Sequence, residues 1–214
     1  MNRKLLFGAA AGMLLVVFVL AALLFQKYHS ASPELASASG VWQRDGAPVK
    51  GPPDAKVTIV EFFDPACGTC REFYPLVAKL IEQYPGKVRV MMRYAPLHPG
   101  SDKVVAMLEA ARLQGKYWEA LERLFAGQNR WVVNHTSQPE KALALMEVLN
   151  LDAKRLAADM NSPSVVQVVQ QDVRDGQTLN VRATPEFFVN GRPLPRFGFD
   201  QLSLLVQEAV AKAY

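Results

Sequence analysis

The chain has 214 residues, half of them hydrophobic, and a formal net charge of +4. That is enough for one membrane segment and one domain with a substantial core. Arg3, Lys4 and Lys27 supply three of the positive charges in a stretch without an acid, leaving +1 for the rest. The basic balance therefore gives no support for nucleic-acid binding.

Residues 5–25 carry no charge. As a helix they would rise about 30 Å, enough to cross a bilayer core, and the run exceeds the usual apolar region of a signal peptide. Arg3 and Lys4 ahead of it orient the N-terminus inward and the remainder outward; Lys27 weakens that asymmetry without reversing it. A cleaved signal peptide, with Ala36-Ser37-Ala38-Ser39 as cleavage region, is the alternative. Either way the domain is expected outside the cytoplasm, where disulfide chemistry is sustained. The chain divides into an N-terminal membrane anchor over 1–27, a tether and lead-in over 28–47, and a folded domain over 48–214. Pro48, Gly51, Pro52 and Pro53 mark the start of the domain as irregular, and a short strand is expected around Val41.

Residues 57–63 form a continuous apolar run broken only by Glu61, which suits a central buried strand. A helix follows Cys67, with apolar Phe73, Val77, Leu80, Ile81 and Tyr84; Pro75 should kink it and Pro85-Gly86 end it. Residues 87–94 alternate, with Val88, Val90, Met92 and Tyr94 on one face and Lys87, Arg89 and Arg93 on the other. From 101 to about 176 the sequence shows no convincing strand. Val104, Met107, Ala111, Trp118, Leu121 and Phe125 fall near helical spacing, divided at Gly115, and further helices are expected over 142–149, 153–160 and 164–175. Strand character returns at 186–189, before the Asn190-Gly191 hairpin signal. Asp200 is expected to cap a last helix with the stripe Leu202, Leu205, Val206, Ala209 and Ala213.

The chemistry concentrates in Cys67-Gly68-Thr69-Cys70, at the junction of the first central strand and its helix. Both cysteines of the chain are here. The spacing lets the two sulfurs bond to each other, and the helix N-terminus stabilises the first as a thiolate. A structural zinc site would need four ligands, and only His29, His98 and His135, in unrelated contexts, are available to add to the pair. A purely structural disulfide across two residues would constrain little of the unfolded chain. Gly68 and Thr69 include no His or Pro, so stabilisation of the Cys67 thiolate falls to the helix terminus, the amides and the Thr69 hydroxyl. His98, between Pro96-Leu97 and Pro99, reads as a loop residue that can line the redox face. Met91 and Met92 alternate faces of a strand, one in the core and one on the sheet surface, and cannot both point at one metal ion.

The order β, α, β, helical block, β-hairpin, α, with the Cys67–Cys70 motif and Ala183-Thr184-Pro185-Glu186-Phe187-Phe188-Val189-Asn190-Gly191 before the hairpin, resembles the DsbA-like branch of the thioredoxin superfamily. The resemblance implies a thioredoxin α/β fold with a helical insertion over about 101–176. It implies that Cys67 attacks or is attacked, that Cys70 resolves the mixed disulfide, and that Pro185 is cis and packs against the dithiol. The Thr184 backbone would offer hydrogen bonds to an extended substrate. An acid at the place of Glu61, near the second cysteine, would accept or return the Cys70 proton; a Glu at the sheet edge reaching water is the alternative. No cofactor or metal is implied. Partners would be thiol- or disulfide-containing proteins and a membrane redox partner. The reading is an extracytoplasmic thiol:disulfide oxidoreductase anchored in the membrane. A reductase or isomerase, which Thr184 before Pro185 resembles, and a Cu(I)-handling protein using the same thiol pair are the alternatives.

Overall fold

The computed structural model describes residues 18–21 and 40–214. Most of the expected anchor and tether therefore lies outside the described residues, among which no helix is long and apolar enough to cross a membrane. The elements are β1 (Val49–Lys50), β2 (Val57–Phe63), α1 (Gly68–Gln83), β3 (Val88–Tyr94), α2 (Ser101–Arg112), α3 (Tyr117–Ala126), α4 (Gln128–Trp131), β4 (Val132–Val133), β5 (Thr136–Ser137), α5 (Pro139–Met146), α6 (Ala153–Met160), α7 (Pro163–Thr178), β6 (Glu186–Val189), β7 (Arg192–Pro193) and α8 (Phe199–Ala213). The main sheet runs β1-β3-β2-β6-β7. Only β2 and β3 are parallel; the other three pairs are antiparallel.

Strand β2 is the spine. Every one of its residues is buried, because both faces are covered. Val57, Ile59 and Phe63 point into a core shared with α1, α8 and the helical block between β3 and β6. Val60 and Phe62 point the other way, against Met91, Val181 and Phe188, with Trp42 and Leu179 packed over them. A strand enclosed this way reads as an unbroken apolar run. The hairpin after β6 closes as the sequence indicates. Asn190 and Gly191 both hold positive φ, at 47° and 81°, the pair of left-handed conformations a tight two-residue hairpin requires.

Several expectations change. The lead-in strand is Val49–Lys50 and not at Val41, which lies in a turn. The helical block contains a two-stranded hairpin, β4 with β5, whose strands are too short for periodicity to reveal. The last helix starts after Gly198, with Asp200 inside its first turn. Met91 is buried like Met92, because Trp42 and the lead-in cover that face of the sheet.

That same covering explains Arg93, which has no exposed surface. Its Nε donates to Asp172 Oδ1 at 2.6 Å and its Nη2 to Asp175. Nη1 donates to the carbonyls of Val41 and Trp42, each at 3.1 Å. Arg44 Nε reaches the same Asp172 oxygen at 2.6 Å, and Asp172 Oδ2 accepts from the Tyr94 amide. One buried guanidinium thus ties the lead-in, β3 and α7 together. Its charge is matched and its donors are occupied, the conditions a buried ion pair needs.

Candidate active site

The turn between β2 and α1 is built by Asp64, which the sequence reading passed over. Its Oδ1 accepts from the Ala66 amide at 2.8 Å. Its Oδ2 accepts from the amides of Leu97 and His98, at 2.7 and 2.8 Å, and from Ser101 Oγ, at 3.0 Å. His98 Nδ1 lies 2.9 Å from the same oxygen. Asp64 therefore pins the active-site turn to the loop after β3, and His98 belongs to that clamp. The only sequence hint was an Asp-Pro directly after a strand, a turn signal. Gln128 makes a second support: its Nε2 donates to the carbonyls of Pro65 and Cys67, at 2.9 and 3.0 Å. Nothing in the local pattern of α4 marks that residue.

Cys67 occupies the N-cap of α1 with extended φ/ψ. Its sulfur lies 3.2 Å from the Thr184 carbonyl oxygen, and the Thr184–Pro185 bond is cis. The Cys67 thiol is pulled down to about 5. Hydrogen bonding from the Cys70 thiol is the largest cause, and it outweighs the opposing desolvation. The Thr184 side chain and the amides of Cys70 and Thr69 add to it. The helix terminus thus acts through particular N–H groups; the Thr69 hydroxyl is not among the contributors. Cys70 has no exposed surface, and its thiol is pushed well above the ordinary value, by burial first and then by hydrogen bonding to Cys67 and the charges of Glu61 and Cys67. Both cysteines are free thiols. One sulfur is the thiolate and the other holds its proton.

Glu61 is 1% exposed, on the strand that runs through the middle of the sheet. The alternative of an edge residue reaching water is overturned by that position. Burial, and secondarily the Cys67 charge, raises its carboxyl to about 8. Neither of its oxygens has a hydrogen-bond partner. A carboxyl that titrates near neutrality beside a thiol that must lose and regain a proton has the protonation range of an acid–base group. The structure therefore brings Glu61, Cys67, Cys70, Thr184 and Pro185 into one site, and Gly68 and Thr69 form the first turn of α1 between the cysteines. Beside it, Phe73 of α1 packs on Phe187 and on the exposed Phe197, with ring centroids 5.6 and 4.9 Å apart. Among the described residues no group of three or more His, Cys, Asp or Glu is placed to hold a metal ion.

Residues 43–208 match a family model described as thioredoxin. The chain belongs to the thioredoxin family. Its dithiol, with Cys67 drawn down to about 5 and Cys70 held protonated, has the unequal thiols that thiol–disulfide exchange uses. The chain is similar to a crystal structure of a thioredoxin-like oxidoreductase from Silicibacter pomeroyi DSS-3, at 32% identity and a TM-score of 0.68 over 82% of this chain and 96% of that one. The catalytic domain of Proteus mirabilis ScsC and BdbD from Bacillus subtilis share the fold, each at 24% identity, with TM-scores of 0.67 and 0.66. They cover 83% and 78% of this chain, and 97% and 94% of their own. Among curated proteins, a Na(+)/H(+) antiporter NhaA of Herminiimonas arsenicoxydans is 32% identical over 146 residues, which are 68% of this chain and 22% of that protein. The NhaA 3 antiporter of Salinispora tropica is 34% identical over 169 residues, 77% of this chain and 25% of that protein. The chain spans a quarter or less of the length of these curated relatives.

Proposed function

We propose that this chain is a DsbA-like thiol:disulfide oxidoreductase working outside the cytoplasm, held to the membrane by residues 1–27. It exchanges the Cys67–Cys70 disulfide with cysteines of other proteins. The observation that carries the reading is the unequal pair of thiols beside Thr184: a Cys67 titrating at about 5 and a Cys70 held protonated. Stabilising the reduced form makes the couple more oxidising, which favours the oxidase direction over reductase or isomerase. A membrane redox partner would then restore the disulfide. The uncharged run over 5–25 behind Arg3 and Lys4 supports the anchor and the topology. The matching segments in relatives named as antiporters support a working place beside a membrane.

In the oxidase direction a substrate strand docks beside Thr184 and Pro185. A substrate thiolate attacks the Cys67 sulfur and the Cys67–Cys70 bond breaks. Cys70 leaves as a thiolate and takes a proton from Glu61. A second substrate thiolate attacks the substrate sulfur of the mixed disulfide and releases Cys67 as its stable thiolate. Two electrons end on the Cys67–Cys70 pair and the substrate gains one disulfide. In reverse, Glu61 accepts the Cys70 proton and Cys70 attacks Cys67. Cys70 lies fully buried behind Cys67, so only one sulfur meets a partner at a time, which favours exchange over chelation of Cu(I) by both.

The redox equilibrium of the Cys67–Cys70 pair against glutathione tests the direction. A midpoint well above that of thioredoxin, about −270 mV, is expected. A midpoint at or below it would reassign the protein as a reductase.

A further inference from the structure

Cys67 is flanked by two different surfaces. Thr184 and Pro185 lead into β6, whereas an open cleft of about 390 Å³ lies between the start of α1 and the helical block. Gly68 and Arg71 of α1 line one side of it. Gln128 and Asn129 of α4, with Asn134 and His135 at the tip of the β4–β5 hairpin, line the other. In the proposed exchange, a substrate chain seated at Thr184 and joined to Cys67 would extend past Gly68 toward this space.

The walls of the cleft are braced to the cysteine turn. Gln128 holds the carbonyls of Pro65 and Cys67. The hairpin is tied to the loop that Asp64 clamps: the Ser137 amide donates to the Pro99 carbonyl at 2.9 Å. The His135 ring also stacks on that of His98, with centroids 6.1 Å apart and 22° between planes. Asn134 and His135 both hold positive φ, at 49° and 60°, the conformations that Asn190 and Gly191 take in the other hairpin. Histidine is less favoured than glycine in such a turn, and here it sets an imidazole at the rim of the cleft. Gly68 presents the converse case. It does not hold a left-handed φ, and a Cβ there would meet nothing within 4 Å. Neither backbone conformation nor packing calls for glycine, which is unfavourable in a helix relative to alanine. Its missing side chain keeps the passage from Cys67 into the cleft clear.

The lining chemistry selects a charge. Arg71 stands one turn after Cys67, its amide donating to the Cys67 carbonyl at 3.2 Å, and helical side chains lean toward the N-terminus. Its Nη2 comes no nearer than 3.9 Å to Glu72 Oε1, with both side chains open to solvent, too long for a hydrogen bond. Glu122, which shares a neighbouring hollow with Arg71, is engaged by Lys50 Nζ at 3.0 Å and by Tyr74 Oη at 2.9 Å. Among the described residues, the side chains of Asn129, Asn134 and His135 make no hydrogen bond, and no Asp or Glu lines the cleft. An available guanidinium, two amides and an imidazole with no acid among them suit a carboxylate. We propose that the cleft receives an Asp or Glu side chain next to the reacting cysteine of the substrate, so that cysteines flanked by an acid are exchanged in preference to others. The inference rests on the exchange reading and names its substrate class.

Stopped-flow mixing of the oxidised full chain with thiol peptides that differ only in Asp, Asn or Lys beside the cysteine, on either side of it, gives the rate of exchange at Cys67. The larger of the two wild-type Asp-to-Asn rate ratios is then followed in the variants, and comparing ratios between proteins cancels the peptide's own thiol reactivity. Arg71→Gln lies on an exposed helix position and keeps helix propensity, so the fold is expected to survive it. It should lower the Asp-to-Asn ratio by at least about twofold, the scale of an exposed charge pair, and high salt should erase the difference. Arg71→Lys, which keeps the charge, should retain more of the preference than Arg71→Gln. A ratio changed by less than about twofold in Arg71→Gln overturns the proposal while exchange itself stands. If no peptide reacts with the oxidised chain, the exchange reading fails, and the same peptides with Ser in place of Cys decide the cleft. NMR shifts at the Asn129 and Asn134 side-chain amides with the Asp peptide and not with the Lys peptide would support it; equal or absent shifts would overturn it.

Discussion

The Cys67 sulfur and the Thr184 carbonyl oxygen meet at 3.2 Å across 117 residues of sequence. The contact places the Cys67 sulfur against the segment leading into β6, so in the proposed exchange a substrate backbone seated at Thr184 would bring its own sulfur to Cys67. The Thr184 side chain also favours the Cys67 thiolate. Thr184→Val should therefore raise the Cys67 pKa and slow alkylation by iodoacetamide at pH 6, with the fold unchanged by circular dichroism. An alkylation profile identical to wild type would remove Thr184 from the site's electrostatics.

The first cause of the low Cys67 pKa is its partner thiol. Wild type is expected to titrate near 5 by thiolate absorbance. Cys70→Ala should move Cys67 upward yet leave it below the free-thiol value of about 8.5, because the amides at the start of α1 remain. A Cys67 already at the free-thiol value in wild type would refute the assignment.

Glu61 links the site to stability. Its folded-state pKa is raised to about 8, above the unfolded value of about 4.3, so the native state favours the proton. The neutral carboxyl is compatible with folding below the unfolded value, and stability is lost as pH rises toward 8. Glu61→Gln cannot ionise. It should gain on wild type between about pH 4.5 and 8, by an amount on the order of a few kcal/mol. Urea midpoints across that range check this, and parallel curves for the two proteins would show that Glu61 is not held protonated.

Arg93 supplies a purely structural test. Arg93→Met leaves Asp172 short of one partner, and Asp175 of its guanidinium, in a buried setting. The cost should be about 3–5 kcal/mol. Losing the bonds to Val41 and Trp42 should also open residues 40–47 to limited proteolysis. Destabilisation under about 1 kcal/mol would mean the network contributes little.

The central architecture was legible because its signals are local. The run over 57–63, the Cys67–Cys70 motif and the Asn190-Gly191 turn each state their structure within a few residues, and all three hold. The alternation in 87–94 gave the face of Arg93 correctly but not its burial, since the cover comes from residues 41–44 and Asp172, distant in sequence. Asp64 and Gln128 escaped for the same reason: Asp64 holds the loop over residues 97–101 and Gln128 the carbonyls of Pro65 and Cys67, and no periodicity records such bonds. Glu61 was visible only as a charged residue in an apolar strand. Its isolation from every hydrogen-bond partner is a property of packing alone.

In the proposed exchange the two cysteines divide the labour: Cys67 forms the mixed disulfide with a partner and Cys70 resolves it. Cys70→Ser and Cys67→Ser should each be incubated with a disulfide-bonded peptide and examined by intact-mass spectrometry. Cys70→Ser is expected to accumulate a long-lived peptide adduct on Cys67. Cys67→Ser is expected to give none, because the Cys70 thiol is buried and held protonated. An adduct on Cys70 in the second variant, or none on Cys67 in the first, would contradict the account.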